Sequence, residues 1–61
     1  MDLDDVLLGA AKEGNLPVLQ TALEKGADIN VKSNDGFTAL MFATENKHID
    51  MINLLKAHGA I

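Results

Sequence analysis

Cysteine is absent from this 61-residue chain. No disulfide can staple it, and no thiolate can hold a metal. Arginine is absent too: the five cations are all lysines, against nine Asp and Glu, for a net charge of -4. Without a bidentate fork or an attractive field there is no phosphate-binding surface, so no nucleic-acid partner is expected. No apolar run approaches the ~20 residues that cross a bilayer, so no membrane partner is expected either. The start, Met1-Asp2-Leu3-Asp4-Asp5, is acidic. A secretory signal opens positive and continues apolar. Together with the missing thiols, this gives a soluble protein of a reducing compartment, and a cytoplasmic location, as the expectation.

What is present is a globular composition, 48% hydrophobic and 23% charged, which excludes a disordered tail. A chain of this size is one small domain, spanning 1–61, and buries only about 60% of its unfolded surface. Domains this small lean on disulfides, metals or association. With no cysteine, partner subunits or further chain become the expected support.

The sequence repeats itself at a shift of 33 residues: Asp2 falls on Asp35, Leu7 on Leu40, Ala10 on Ala43, Gly26 on Gly59 and Ala27 on Ala60. Apolar character follows the same register, Leu8 with Met41, Leu16 with Ile49, Val18 with Met51 and Leu19 with Ile52. Self-similarity at such a period marks stacked repeats. The copies are 1–33 and 34–61.

Each copy reads as a helical hairpin. Asp4 or Asp5 caps a first helix running to about Glu13, with Leu7, Leu8, Ala10 and Ala11 on its buried side. Gly14-Asn15 breaks it, and Pro17 sits in the first turn of a second helix that ends near Lys25 before Gly26. In the second copy Thr38 caps a helix carrying Leu40, Met41, Phe42 and Ala43, and Asn46-Lys47 makes the turn. A last helix runs from Ile49 or Asp50 to Ala57, stopped by Gly59. Between the copies, Ile29 and Val31 alternate with polar residues, and Asn34-Asp35-Gly36 signals a turn, so 27–36 reads as an extended finger. Met41 and Met51 take core positions.

These residues resemble the ankyrin repeat family. The resemblance is carried by Asp35-Gly36-Phe37-Thr38-Ala39-Leu40-Met41-Phe42-Ala43, by His48-Ile49-Asp50-Met51-Ile52-Asn53-Leu54-Leu55, by Gly26-Ala27-Asp28-Ile29-Asn30 and by Gly59-Ala60. It implies an all-α helical solenoid of two antiparallel helix pairs joined by the finger. The first copy, starting Leu3-Asp4-Asp5-Val6, looks like an N-terminal capping repeat of that family. Ala39 and Met41 stand where the family has proline and histidine, Thr44 where it has a second alanine, and Lys47 where it has the turn glycine. Lys56 interrupts the face that Leu23 completes in the first copy. It either marks a solvent-facing end of the stack or lays its stem along apolar surface with its charge in water.

Little here points to catalysis. Ser33 is the one serine, with no histidine near it in sequence. His48 and His58 are ten apart, which is not the spacing of two ligands on one helix face. The resemblance makes His48 a structural cap, and His58 reads as a solvated residue near a helix end. Asp2, Asp4 and Asp5 lack the alternating ligands of a calcium loop. No metal and no cofactor is expected. The resemblance instead implies a non-catalytic module that binds a protein partner through finger tips and the first-helix surface. By position this nominates Lys32, Asn34, Asp35 and Phe37 on the finger, and Lys12, Glu13, Glu45 and Asn46 at the ends of the first helices. Phe37 is either an exposed anchor or is folded back onto a neighbouring finger. A second reading is self-association, with an open apolar end of Leu54, Leu55 and Ile61 docking on another copy. A third places the chain as the accessory of an enzyme whose chemistry lies elsewhere.

Overall fold

The computed structural model describes residues 2–61, so Met1 of the acidic start lies outside it. Four helices follow in chain order: α1 (Leu3–Glu13), α2 (Leu16–Glu24), α3 (Ala39–Glu45) and α4 (Ile49–Ala57). There is no strand among the described residues, and the fold is an all-helical stack of two helix pairs. α1 packs on α2 within the first pair and on α3 of the second, and α3 packs on α4.

The starts of the helices follow from short polar side chains that satisfy free amides. Asp2, rather than the expected Asp4 or Asp5, caps α1 and accepts from the Asp4 amide at 3.0 Å. Asp4 is free for a longer reach: its carboxylate accepts the Asp28 amide at 2.8 Å, tying α1 to the segment that leaves α2. Asn15 accepts from the Val18 amide to open α2, with Pro17 in its first turn. Thr38 accepts from the Met41 amide to open α3, as its sequence position predicts. His48 differs from expectation. It holds the capping position of α4 but makes no side-chain capping bond.

All four helices end the same way. A residue in the left-handed region turns the chain, and the next amide bonds back to a carbonyl five residues earlier: Asn15 to Ala10, Ala27 to Ala22, His48 to Ala43 and Ala60 to Leu55. The turning residues are Gly14, Gly26, Lys47 and Gly59. Lys47, at φ 59°, is the one that carries a side chain into this strained region.

The core is built from Leu7, Leu8, Ala10 and Ala11 of α1, Leu19 and Ala22 of α2, Ala39 and Ala43 of α3, and Met51 and Leu55 of α4. The alanines let the helix backbones approach closely, and the leucines fill the space between them. Ile29 and Val31 lean on this core from the finger. The finger is pinned at Ser33. Its amide donates to the Phe37 carbonyl, its carbonyl accepts the Gly36 amide, and its hydroxyl accepts the Phe37 amide at 3.1 Å. Met41 departs from the expected core role: it is 46% exposed, while Met51 is buried.

Candidate partner-binding surface

Lys12 and Glu13 occupy the last turn of α1, and Glu45 and Asn46 lie at the end of α3, all four exposed. What brings these two helix ends together is a close approach at Gly14. A methyl group at Gly14 would meet the His48 ring at 2.6 Å, so glycine is needed there for space as well as for its φ of 72°. The His48 ring lies against this turn, with Nε2 3.5 Å from the Lys12 carbonyl oxygen. Asn46 Nδ2 donates to the Phe42 carbonyl at 3.0 Å and approaches the same Lys12 oxygen at 3.5 Å. Two side chains of the second pair thus meet one of the carbonyls that α1 leaves without a helical partner.

The Lys12 side chain is held as well. Its Nζ lies over the Phe42 ring, 5.0 Å from the centroid, within cation–π range. Phe37 stacks on that same ring, centroids 5.2 Å apart and planes 23° from parallel. Phe37 is therefore half-buried. It folds back onto the first helix of its own pair rather than onto a neighbouring finger or into open solvent. Lys32, Asn34 and Asp35 are exposed along the finger.

Phe42 joins Lys12 to Phe37, yet the sequence reading leaves it as one apolar residue of a helix. A signal for it existed: Phe42 stands, at the 33-residue shift, where the first copy has Gly9, whose α-carbon faces open space. A large aromatic in a register that elsewhere holds glycine sits at the edge of the core, and Phe42 is half-buried there, packed against it.

The proposed self-association residues are not one surface. Leu55 is fully buried among the four helices, which removes it as a docking residue. Leu54 lines a groove of about 290 Å³ with Gln20, Leu23, Glu24 and His58, between α2 and α4. Ile61 is 87% exposed, its amide donating to Asn30 Oδ1 at 3.0 Å. Comparison of equivalent positions finds a different open face. Leu8 is 7% exposed, and its counterpart Met41 46%. Leu7 and Leu19 are buried, and their counterparts Leu40 and Ile52 only partly so. The change runs the other way for Val18, 39% exposed, and Met51, 2%. The second pair covers one face of the first, and the same face of the second pair is more open, with Met41 exposed and Leu40 and Ile52 half-buried.

Ser33, the lone serine, has its hydroxyl engaged within the finger turn. Among the described residues no three His, Cys, Asp or Glu side chains are placed to share a metal ion. No helix among them is long and apolar enough to cross a membrane.

Comparison with known proteins matches residues 7–55 to the family model described as ankyrin repeats (many copies). A putative ankyrin repeat-containing protein of Treponema pallidum (strain Nichols) is 44% identical over 54 residues, covering 88% of this chain and 18% of that protein. The potassium channel AKT2/3 of Arabidopsis thaliana is 38% identical over 56 residues, 92% of this chain and 7% of the channel. The mitochondrial disaggregase of Homo sapiens is 40% identical over 57 residues, 93% of this chain and 8% of the disaggregase. The chain thus spans less than a fifth of the length of each of these relatives.

Proposed function

The chain belongs to the ankyrin-repeat family, whose repeats are protein-interaction modules, and on that premise we propose that it binds a protein partner non-catalytically through its finger and the ends of its first helices. The observation that carries this reading is the Lys12–Phe42–Phe37 cluster. It joins α1, α3 and the finger into one aromatic and charged surface, flanked by Glu13, Glu45 and Asn46. Aromatics held rigid by their own fold lose little entropy on contact and make good anchors. A cytoplasmic location belongs to the same proposal, resting on the absence of cysteine alone.

The test is to select binders for the 61-residue chain from a displayed peptide library and to map each by amide chemical shifts. Perturbations centred on Lys12, Glu13, Lys32, Asn34, Asp35, Phe37, Glu45 and Asn46 are expected. Binders that map to α2 and α4 instead would overturn the reading.

The exposed Met41, with the half-buried Leu40 and Ile52 beside it in the repeat register, favours self-association as a second reading, with the docking face moved away from Leu55. Sedimentation equilibrium tests it, followed by peptide-bond absorbance because Trp and Tyr are absent. A dimer that Met41→Asp dissociates supports it. A monomer at millimolar concentration rejects it.

A further inference from the structure

The cation over Phe42 belongs to the chain itself, and this identifies what the site accepts. We propose that the face of Phe42 now held by Lys12 is a docking site for an arginine side chain on a basic segment of the protein partner, with Lys12 as its internal placeholder. The inference rests on the binding reading above and names the partner's chemistry.

Three observations carry it. First, the half-buried ring accepts a cation, since Lys12 Nζ lies 5.0 Å from its centroid. Second, Lys12 is exposed and its side chain is long and flexible. Its carbonyl is met by Asn46 and His48, but its ammonium can swing into water without disturbing either approach. Third, the charges around the ring suit a cation. Glu45 follows Phe42 by three residues on α3, placing both on neighbouring parts of one helix surface. Glu13 follows Lys12 directly, and the chain as a whole carries -4. Glu13 and Glu45 are exposed and lie close in sequence to Lys12 and Phe42, and Phe37 stacks on the same ring. A planar guanidinium can lie flat on that face while donating to carboxylate at its edge, which a compact ammonium does less well. The contact made by an arginine at this ring is therefore better fitted than the one made by the lysine it displaces.

The placeholder makes an unusual prediction, because removing a charged residue from a binding surface should improve binding. The probe is the capped tripeptide Gly-Arg-Gly, titrated into the 61-residue chain while the ring protons of Phe37 and Phe42 are followed by NMR. Capped Gly-citrulline-Gly, equal in shape and uncharged, is the control. Saturable shifts of both rings with the arginine peptide alone are expected. Lys12→Gln is expected to tighten the arginine peptide about threefold, the size of one exposed cation–π contact. Ring shifts of equal size with citrulline, or arginine binding left unchanged or weakened by Lys12→Gln, would overturn the proposal. That failure is separable from failure of the binding reading. Library binders that map to the finger and first helices but lack arginine, and are indifferent to Lys12→Gln, would sink the arginine site and leave the module standing.

Discussion

The second helices of the two pairs, Leu16–Glu24 and Ile49–Ala57, are offset by 33 residues at both ends, whereas the first helices differ: α1 has 11 residues and α3 has seven. Three of the four residues of difference lie at their starts. α3 is preceded by the Ser33 clamp, which commits residues 33–37 to a turn and leaves Thr38 as the earliest cap. Nothing of that kind precedes α1 among the described residues, and Asp2 caps it three positions earlier in the repeat register than Thr38 caps α3. A finger thus shortens the helix it introduces, and in return carries Phe37 onto Phe42. The two pairs also differ in what covers them, since the face buried on the first is open on the second.

Breaking that second difference should give the largest effect. Leu8→Ala removes a buried side chain between the pairs and is expected to cost about 3 kcal/mol. A domain of this size holds little more than that, so helicity at 222 nm should largely collapse. Met41→Ala, the equivalent change on the open face, should stay within about 0.5 kcal/mol by urea unfolding. Equal losses at the two positions would show that the open face is covered in solution.

Gly14 and its counterpart Lys47 test the joint between the pairs. Gly14→Ala places a methyl group in the space of the His48 ring and in a left-handed conformation, which together should cost about 2 kcal/mol. The double variant Gly14→Ala with His48→Ala should recover the steric part and leave about 1 kcal/mol of backbone strain. If His48→Ala recovers nothing, the ring does not sit against the turn. The caps come next. Thr38 is buried and Asp2 exposed, so Thr38→Ala should cost about 1 kcal/mol or slightly more, and Asp2→Ala less, by the same unfolding measurement.

The helices were largely legible in the sequence because each carries its own start and stop. Asn15-Leu16-Pro17, Thr38, Gly26 and Gly59 act locally, and local chemistry can be read from neighbours. What escaped was set by distant residues. Asp4 reads as a cap, but the Asp28 amide takes its carboxylate, 24 residues away. His48 reads as a cap, but its ring lies on Gly14. Leu55 and Met41 are both apolar on amphipathic helices, and periodicity does not say which side of a stack has a neighbour. The candidate surface was legible as a set of positions and not as a constellation, because Phe42, which links Lys12 to Phe37, differs from the core residues around it only by which way it faces.

The smallest effect should carry the opposite sign. Three of the four helix-ending turns use glycine in the left-handed region, and the fourth uses Lys47 at φ 59°. A side chain there strains the backbone by about 1 kcal/mol, and glycine recovers most of it while adding some freedom to the unfolded chain. Lys47→Gly is therefore expected to stabilise the protein by about 0.5 kcal/mol, seen as a higher urea midpoint with an unchanged slope. The same substitution leaves the Lys12–Phe42–Phe37 cluster intact, so Phe37 and Phe42 ring shifts should stay where they are. A destabilised Lys47→Gly would mean that the lysine side chain itself holds the turn, and that the second pair has replaced the backbone freedom of Gly14 with a contact of its own.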